Sequence, residues 1–154
     1  MNENKKTYEL VQNFSNVKDK RLKLIIIGSL MDSIKNDVIS LIQKDERIHY
    51  LGWRDSKELL KYIAASDLYI QPGSQSATMQ NALCSGTPVL IANVKSYQVY
   101  MQGNAFAINN TNEIESVINL ILKDPDILKN MSEKAFDLSS RILDYEKLAE
   151  RILE

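Results

Sequence analysis

Between Asp67 and Ala92 the chain reads DLYIQPGSQSATMQNALCSGTPVLIA, a choice of residues suited to holding an anion. An apolar run ends at Pro72 and Gly73 in a turn whose small residues, Ser74, Ser76, Ala77 and Thr78, let a ligand approach backbone N–H groups expected to be free. A helix is predicted next, from Ala77 to Ser85. Its N-terminus aims positive charge at the same turn, a contribution of about 0.3–1 kcal/mol to an exposed negative group. Gly86 then ends the helix and Pro88 opens another apolar run. Phosphate is the chemistry that this arrangement fits.

The elements that must position the turn follow from hydrophobic spacing. LKLIIIG, residues 22–28, is a nearly unbroken apolar run, which suits a strand covered on both faces. Shorter runs stand at IHYLG, DLYIQ, PVLIA and AFAIN. Between them Val38, Ile39, Leu41 and Ile42, then Leu59, Leu60, Tyr62 and Ile63, recur at helical spacing. Such alternation predicts an α/β fold: a Rossmann-like open parallel sheet with right-handed crossovers and helices on both faces. Ligands of open α/β sheets bind at the carboxyl ends of strands, so Gly28, Gly52 and Gly73 either rim one crevice or are plain turn glycines. From Asn110 the pattern is helical through TNEIESVINLILKD, and Pro125 opens a further helix through Leu128, Met131, Ala135 and Leu138. A last amphipathic helix is expected with Leu143, Leu148 and Ile152 on related faces. The chain thus reads as one domain over 1–154, with 112–154 as terminal helices.

Composition narrows the function classes. A chain of 154 residues buries about 68–70% of its unfolded surface and needs no disulfide or metal to hold a core. Nineteen basic against twenty acidic residues leave a net charge of −1, which argues against nucleic acid as a partner. Lys5, Lys6, Lys18, Lys20, Arg21 and Lys23 make the first quarter basic, either as solvated helix ends or as a docking surface for anionic lipid or a partner domain. Cys84, on the expected apolar side of the loop helix, reads as a buried structural thiol. His49 reads as a structural residue in a short strand. With no His/Cys cluster, neither a metal nor a cofactor is expected. The absence of a membrane-length apolar run or a signal segment after Met1 predicts a cytoplasmic protein.

The succession of apolar strand, Pro, small-residue loop, helix and CSGTPVLI resembles the nucleotide-sugar-binding half of GT-B glycosyltransferases, above all family 4, or glycosyltransferases group 1. KKTYELVQNF, LKLIIIG, RIHYLGW, SKELLKYIAASDLYIQP and SGTPVLIA follow in that family's order along most of the chain. The resemblance implies the C-terminal half of a two-domain enzyme. Such an enzyme moves a sugar from a nucleoside diphosphate donor to an acceptor hydroxyl without a metal. Catalytic residues and the acceptor site are then expected on an N-terminal domain, this chain alone is expected to be inactive, and the full protein is expected in the cytoplasm or at the inner face of the membrane. Donor contacts are implied at Gly28, Gly73, Ser74, Gln75, Ser76, Ala77 and Thr78, with the base near Trp53 and Arg54. Trp53 alternatively reads as a packing residue.

Several residues depart from the family pattern. Asn81 stands where the ribose-binding glutamate is usual, and one neutral acceptor replaces two charged ones. The loop is about three residues shorter than usual, so Gln75 or Ser76 is the nearest stand-in for the family's other glutamate. The shorter loop is closer to that of the lipid II-forming N-acetylglucosaminyltransferases and the UDP-N-acetylglucosamine 2-epimerases, which share the architecture, and gives a second enzyme reading, a sugar-nucleotide epimerase or hydrolase; a non-catalytic domain that has lost the donor site is a third. Lys5 or Lys6 falls near the position of a phosphate-binding lysine, without the glycine that usually follows it. The family's first strand and its Gly-Arg turn have no counterpart ahead of the first helix. LKLIIIG is therefore expected to be an unpaired edge, open to self-association.

Overall fold

The computed structural model describes residues 1, 3–147 and 149. Every strand pair in it is parallel. β1 (Leu24–Ile27) pairs with β2 (Ile48–Gly52), and β3 (Tyr69–Gln71), β4 (Val89–Ala92) and β5 (Ala105–Ile108) form a second ladder in that order. Helices α1 (Thr7–Asn16), α2 (Asp32–Ile42), α3 (Ser56–Ala64), α4 (Ala77–Cys84), α5 (Glu113–Lys123) and α6 (Asp126–Ile142) complete the order of elements. Among the described residues no helix is long and apolar enough to cross a membrane.

Two apolar layers result from the period-two geometry of the strands. Leu24, Ile26, Ile48, Leu90 and Ile108 pack on one side against Leu10, Val11 and Phe14 of α1, Val38 of α2, and Ile114 and Ile118 of α5. This layer runs beneath both ladders. Val89 and Ile91 point the other way, against Ile63 of α3, Met79, Ala82 and Leu83 of α4, and Ala135 and Leu138 of α6. Only the β3–β4–β5 ladder has that second cover: Ile25 remains 42% exposed and His49 is exposed. The expectation of one sheet covered on both faces therefore holds for three strands, and the other two form a separate, half-covered ladder.

The terminal helices also differ in detail from expectation. α5 and α6 form where the apolar spacing places them, and α6 stops at Ile142, with Leu143 packed against the second layer. Leu148 and Ile152, assigned to a last helix, lie outside the described residues. A 3₁₀ segment from Lys95 to Tyr100, with no clear sequence signal, carries Tyr97 and Tyr100 back over the start of α4.

The N-terminal ends of the strands are tied together by one side chain. Arg47 forks onto Asp45 at 2.6 and 2.9 Å, donates to the carbonyls of Val17 and Asp19 at 2.6 and 2.9 Å, and lies 4.9 Å over the Phe14 ring. It fastens the loop after α1 to the start of β2.

Candidate functional site

β1 and β3 stand on either side of a cleft of about 1250 Å³ that runs along both strands and opens at their C-terminal ends. Of the residues singled out from sequence, it brings together Lys5, Gly28, Trp53, Arg54, Ser76 and Thr78, whereas Lys6, Gly73, Ser74, Gln75, Ala77 and Asn81 do not line it. Trp53 is 70% exposed, so it is not a core residue. It follows Gly52, whose φ of 69° turns the chain outward at the end of β2, and Arg54 donates to its carbonyl at 2.9 Å. Arg54 also approaches Glu58 at 3.8 Å on the first turn of α3.

The loop from Pro72 to Ser76 is held from several directions. Gly73 passes so near the N-terminal segment that a Cβ there would stand 2.0 Å from the Asn4 carbonyl oxygen. Ser74 N–H donates to that carbonyl at 2.8 Å, and Gln75 N–H donates to the Tyr97 hydroxyl at 2.9 Å. These two amides, expected to be free, are engaged, because the segments before α1 and after β4 bring acceptors to them. The buried Gln71 side chain donates to the Ser74 carbonyl and accepts from Tyr69 at 2.7 Å and Ser76 Oγ at 3.1 Å. Burial pushes the Tyr69 phenol up, partly opposed by hydrogen bonds involving Ser76 and Thr78. Ser76 stands at the N-cap of α4 without capping it by its side chain, which leaves the first-turn amides at Ala77 and Thr78 directed at the loop.

Lys5 supplies the positive charge. Its Nζ donates to the carbonyls of Ser74 at 2.7 Å and Gln75 at 3.2 Å, and burial lowers its pKa. Lys6 turns away to Glu9 at 3.0 Å. Lys6 has φ 58°, the left-handed conformation that favours glycine. Asn81 is exposed, one turn further along α4, and does not line the cleft; its backbone carbonyl accepts from Ser85. Cys84 is exposed, not buried, because the covered face of the short α4 is Met79, Ala82 and Leu83. No group of three potential metal ligands occurs among the described residues.

Gln71, Tyr69 and Tyr97 escaped the sequence reading. A glutamine inside the apolar run DLYIQ was the available signal for the first; nothing local marks Tyr97, which reaches the loop from twenty-two residues away.

A parallel α/β fold with its cleft at the strand ends matches the C-terminal domain of GT-B glycosyltransferases. The chain belongs to the glycosyl transferases group 1 family, which matches residues 1–137. Among solved structures, Anabaena HepE in complex with UDP-glucose superposes with a TM-score of 0.80 at 17% identity, over 99% of this chain and 45% of that one. The C-terminal domain of the group 1 protein LpcC from Francisella tularensis gives 0.78 at 15% identity, covering 93% and 82%. The catalytic domain of cholesterol-α-glucosyltransferase from Helicobacter pylori gives 0.73 at 18%, covering 90% and 91%. The chain therefore spans less than half the length of HepE. No curated protein gives a significant sequence match.

Proposed function

We propose that this chain is the donor-binding domain of a glycosyltransferase that moves a sugar from a nucleoside diphosphate to an acceptor hydroxyl. The acceptor site and general base lie on a further domain, the chain by itself does not turn over, and transfer is metal-independent. One observation carries the reading: the cleft between β1 and β3 is lined, where it opens at their C-terminal ends, by Trp53 and Arg54 on one side and Lys5, Ser76 and Thr78 on the other. The aromatic face and adjacent backbone suit a base, and the ammonium and helix start suit a diphosphate. Negative charge grows on the diphosphate as the sugar leaves, and preorganised donors stabilise it there. Lys5 does so by exchanging its two carbonyl partners for phosphate oxygens. Asn81 lies outside the cleft, one turn of α4 beyond Thr78, so it meets the ribose only where the nucleotide extends past the rim along α4, and there it offers one neutral acceptor, which makes the site weak.

The engaged amides of Ser74 and Gln75 favour a second reading, a domain that keeps the fold without the ligand. An NMR titration with UDP, GDP and other nucleoside diphosphates separates the two. The donor-site reading expects shifts confined to residues 73–81 and 52–54, and weaker binding in Lys5→Ala. Silence in both segments with every nucleotide supports the second reading.

A further inference from the structure

Gln71 ends β3 as a buried polar residue, 6% exposed, on the wall of the cleft. Its neighbours fix the orientation of its amide. The Tyr69 hydroxyl and Ser76 Oγ both donate to Oε1, so Nε2 is the end that faces the loop, where it donates to the Ser74 carbonyl. Lys5 Nζ donates to that same oxygen at 2.7 Å. Two donors, one of them charged, thus converge on a single neutral carbonyl. Such a pair suits an oxygen that carries charge, because charge-assisted hydrogen bonds are about twice as strong as neutral ones.

The other end of this peptide group is held as well. A trans peptide points its C=O and N–H in opposite directions, so with the Ser74 carbonyl on Lys5 the Gln75 N–H is turned away, and it donates to the Tyr97 hydroxyl at 2.9 Å. The 3₁₀ segment places Tyr97 there. At about three residues per turn, Tyr97 and Tyr100 share one face. Tyr100 Oη accepts from Gln80 at 2.9 Å, and its carbonyl accepts from the buried Asn104 at 2.9 Å. Among the described residues the Tyr97 O–H has no acceptor, so the hydroxyl can donate where it now accepts. The flanks are anchored separately, Ser74 N–H on Asn4 and Ser76 Oγ on Gln71, which leaves the Ser74–Gln75 peptide able to turn between them.

We propose that the Ser74 carbonyl oxygen holds the place of an anion oxygen, and that a diphosphate displaces it by a half-turn of the Ser74–Gln75 peptide, with Gln71 Nε2 becoming a ligand contact. The proposal rests on the donor-site reading and adds Gln71, Gln75 and Tyr97 to it. After the turn Gln75 N–H points where the carbonyl stood and joins Lys5 Nζ and Gln71 Nε2 on the anion. The carbonyl meets Tyr97, whose hydroxyl now donates to it. Backbone preference keeps the resting form closed without ligand: the turn carries φ of Gln75 from negative to positive, and among the described residues Lys6 is the one non-glycine residue with a positive φ.

The test is a crystal structure with UDP, together with NMR titrations of the parent, Gln75→Gly and Gln71→Leu. Uridine serves as the probe without phosphate and inorganic pyrophosphate as the probe without a base, and the Ser74 ¹³C′ and Gln75 ¹⁵N shifts report the peptide. In the UDP complex the Ser74 carbonyl is expected on Tyr97, with a phosphate oxygen on Lys5 and Gln71. Gln75→Gly should bind UDP about fivefold more tightly, since glycine accepts the positive φ without strain. Gln71→Leu should bind it about tenfold more weakly, and uridine should bind all three chains alike. A UDP complex whose Ser74 carbonyl still rests on Lys5 and Gln71 overturns the proposal, as does unchanged UDP affinity in Gln75→Gly. Equal loss of UDP and uridine in Gln71→Leu assigns Gln71 to the fold and overturns its contact with the ligand. Pyrophosphate that shifts the peptide where UDP does not bind is the failure of the donor site and keeps the anion position; a peptide unmoved by either overturns both.

Discussion

The two ends of the strands are built on opposite plans. At the N-terminal end Arg47 spends its guanidinium on Asp45 and two backbone carbonyls, with both side chains about nine-tenths covered. At the C-terminal end Lys5 rests on two carbonyls, Trp53 lies in solvent, and loop amides are held by acceptors from distant segments. Polar groups at the first end have partners fixed by short loops, whereas those at the second can exchange theirs for a ligand. The contrast separates residues that hold the fold from residues that serve the site.

Substitutions at the closed end should therefore act on stability. Arg47→Ala, which strands a covered carboxylate and two carbonyls, is expected to cost about 3–5 kcal/mol in urea unfolding. Arg47→Lys should recover only part of this, because a single ammonium cannot fork onto Asp45 and reach both carbonyls. Full recovery by lysine would reduce the staple to simple charge.

A smaller effect appears with pH. The hydrogen bond from Arg47, against an opposing contribution from burial, holds Asp45 at about 2, below its ordinary 3.8. A carboxylate depressed in the folded state stabilises above the unfolded value and loses that stabilisation as pH falls through the folded one. The contribution, on the order of 2 kcal/mol, should be complete above pH 4 and fade between about pH 4 and 2. Comparing unfolding of the parent and Asp45→Asn across that window isolates it; parallel curves would remove Asp45 from the staple.

At the open end the expected response is in binding. Asn81→Glu should leave stability within about 0.5 kcal/mol, as its position is exposed. It should tighten a ribonucleoside diphosphate over its 2′,3′-dideoxy analogue by about 1 kcal/mol, measured by calorimetry. Equal change for both nucleotides would detach Asn81 from the ribose.

The smallest effect concerns the joint between Lys5 and α1. Lys6→Gly relieves a left-handed backbone and gives up only an exposed contact to Glu9. A net gain of about 0.5–1 kcal/mol in thermal unfolding is expected, and a loss would mean that the Glu9 pair outweighs the backbone strain.

Much of this architecture is legible in the chain. LKLIIIG, IHYLG, DLYIQ, PVLIA and AFAIN form strands, and the spacing of Ile114, Ile118, Met131, Ala135 and Leu138 gives the helices that cover them. These follow because hydrophobic period is a local property, fixed by how each backbone geometry turns successive side chains. The order of CSGTPVLI after its loop carried the family by the same local means.

Tertiary structure decided the rest. The chain alone marked Ser74 and Gln75 as offering free amides, and packing gave both a partner: Asn4, from before the first helix, and Tyr97, from beyond the fourth strand. It left Lys5 and Lys6 interchangeable, and a φ of 58° at Lys6 sent one to the loop and the other to solvent. It placed LKLIIIG at an edge, and only the shared floor beneath two ladders revealed that β3 faces it across a cleft. Residue type and spacing determine which groups a segment carries and which face it buries. Which distant group meets them depends on how crossovers bring far parts of the chain together, and no local pattern records that.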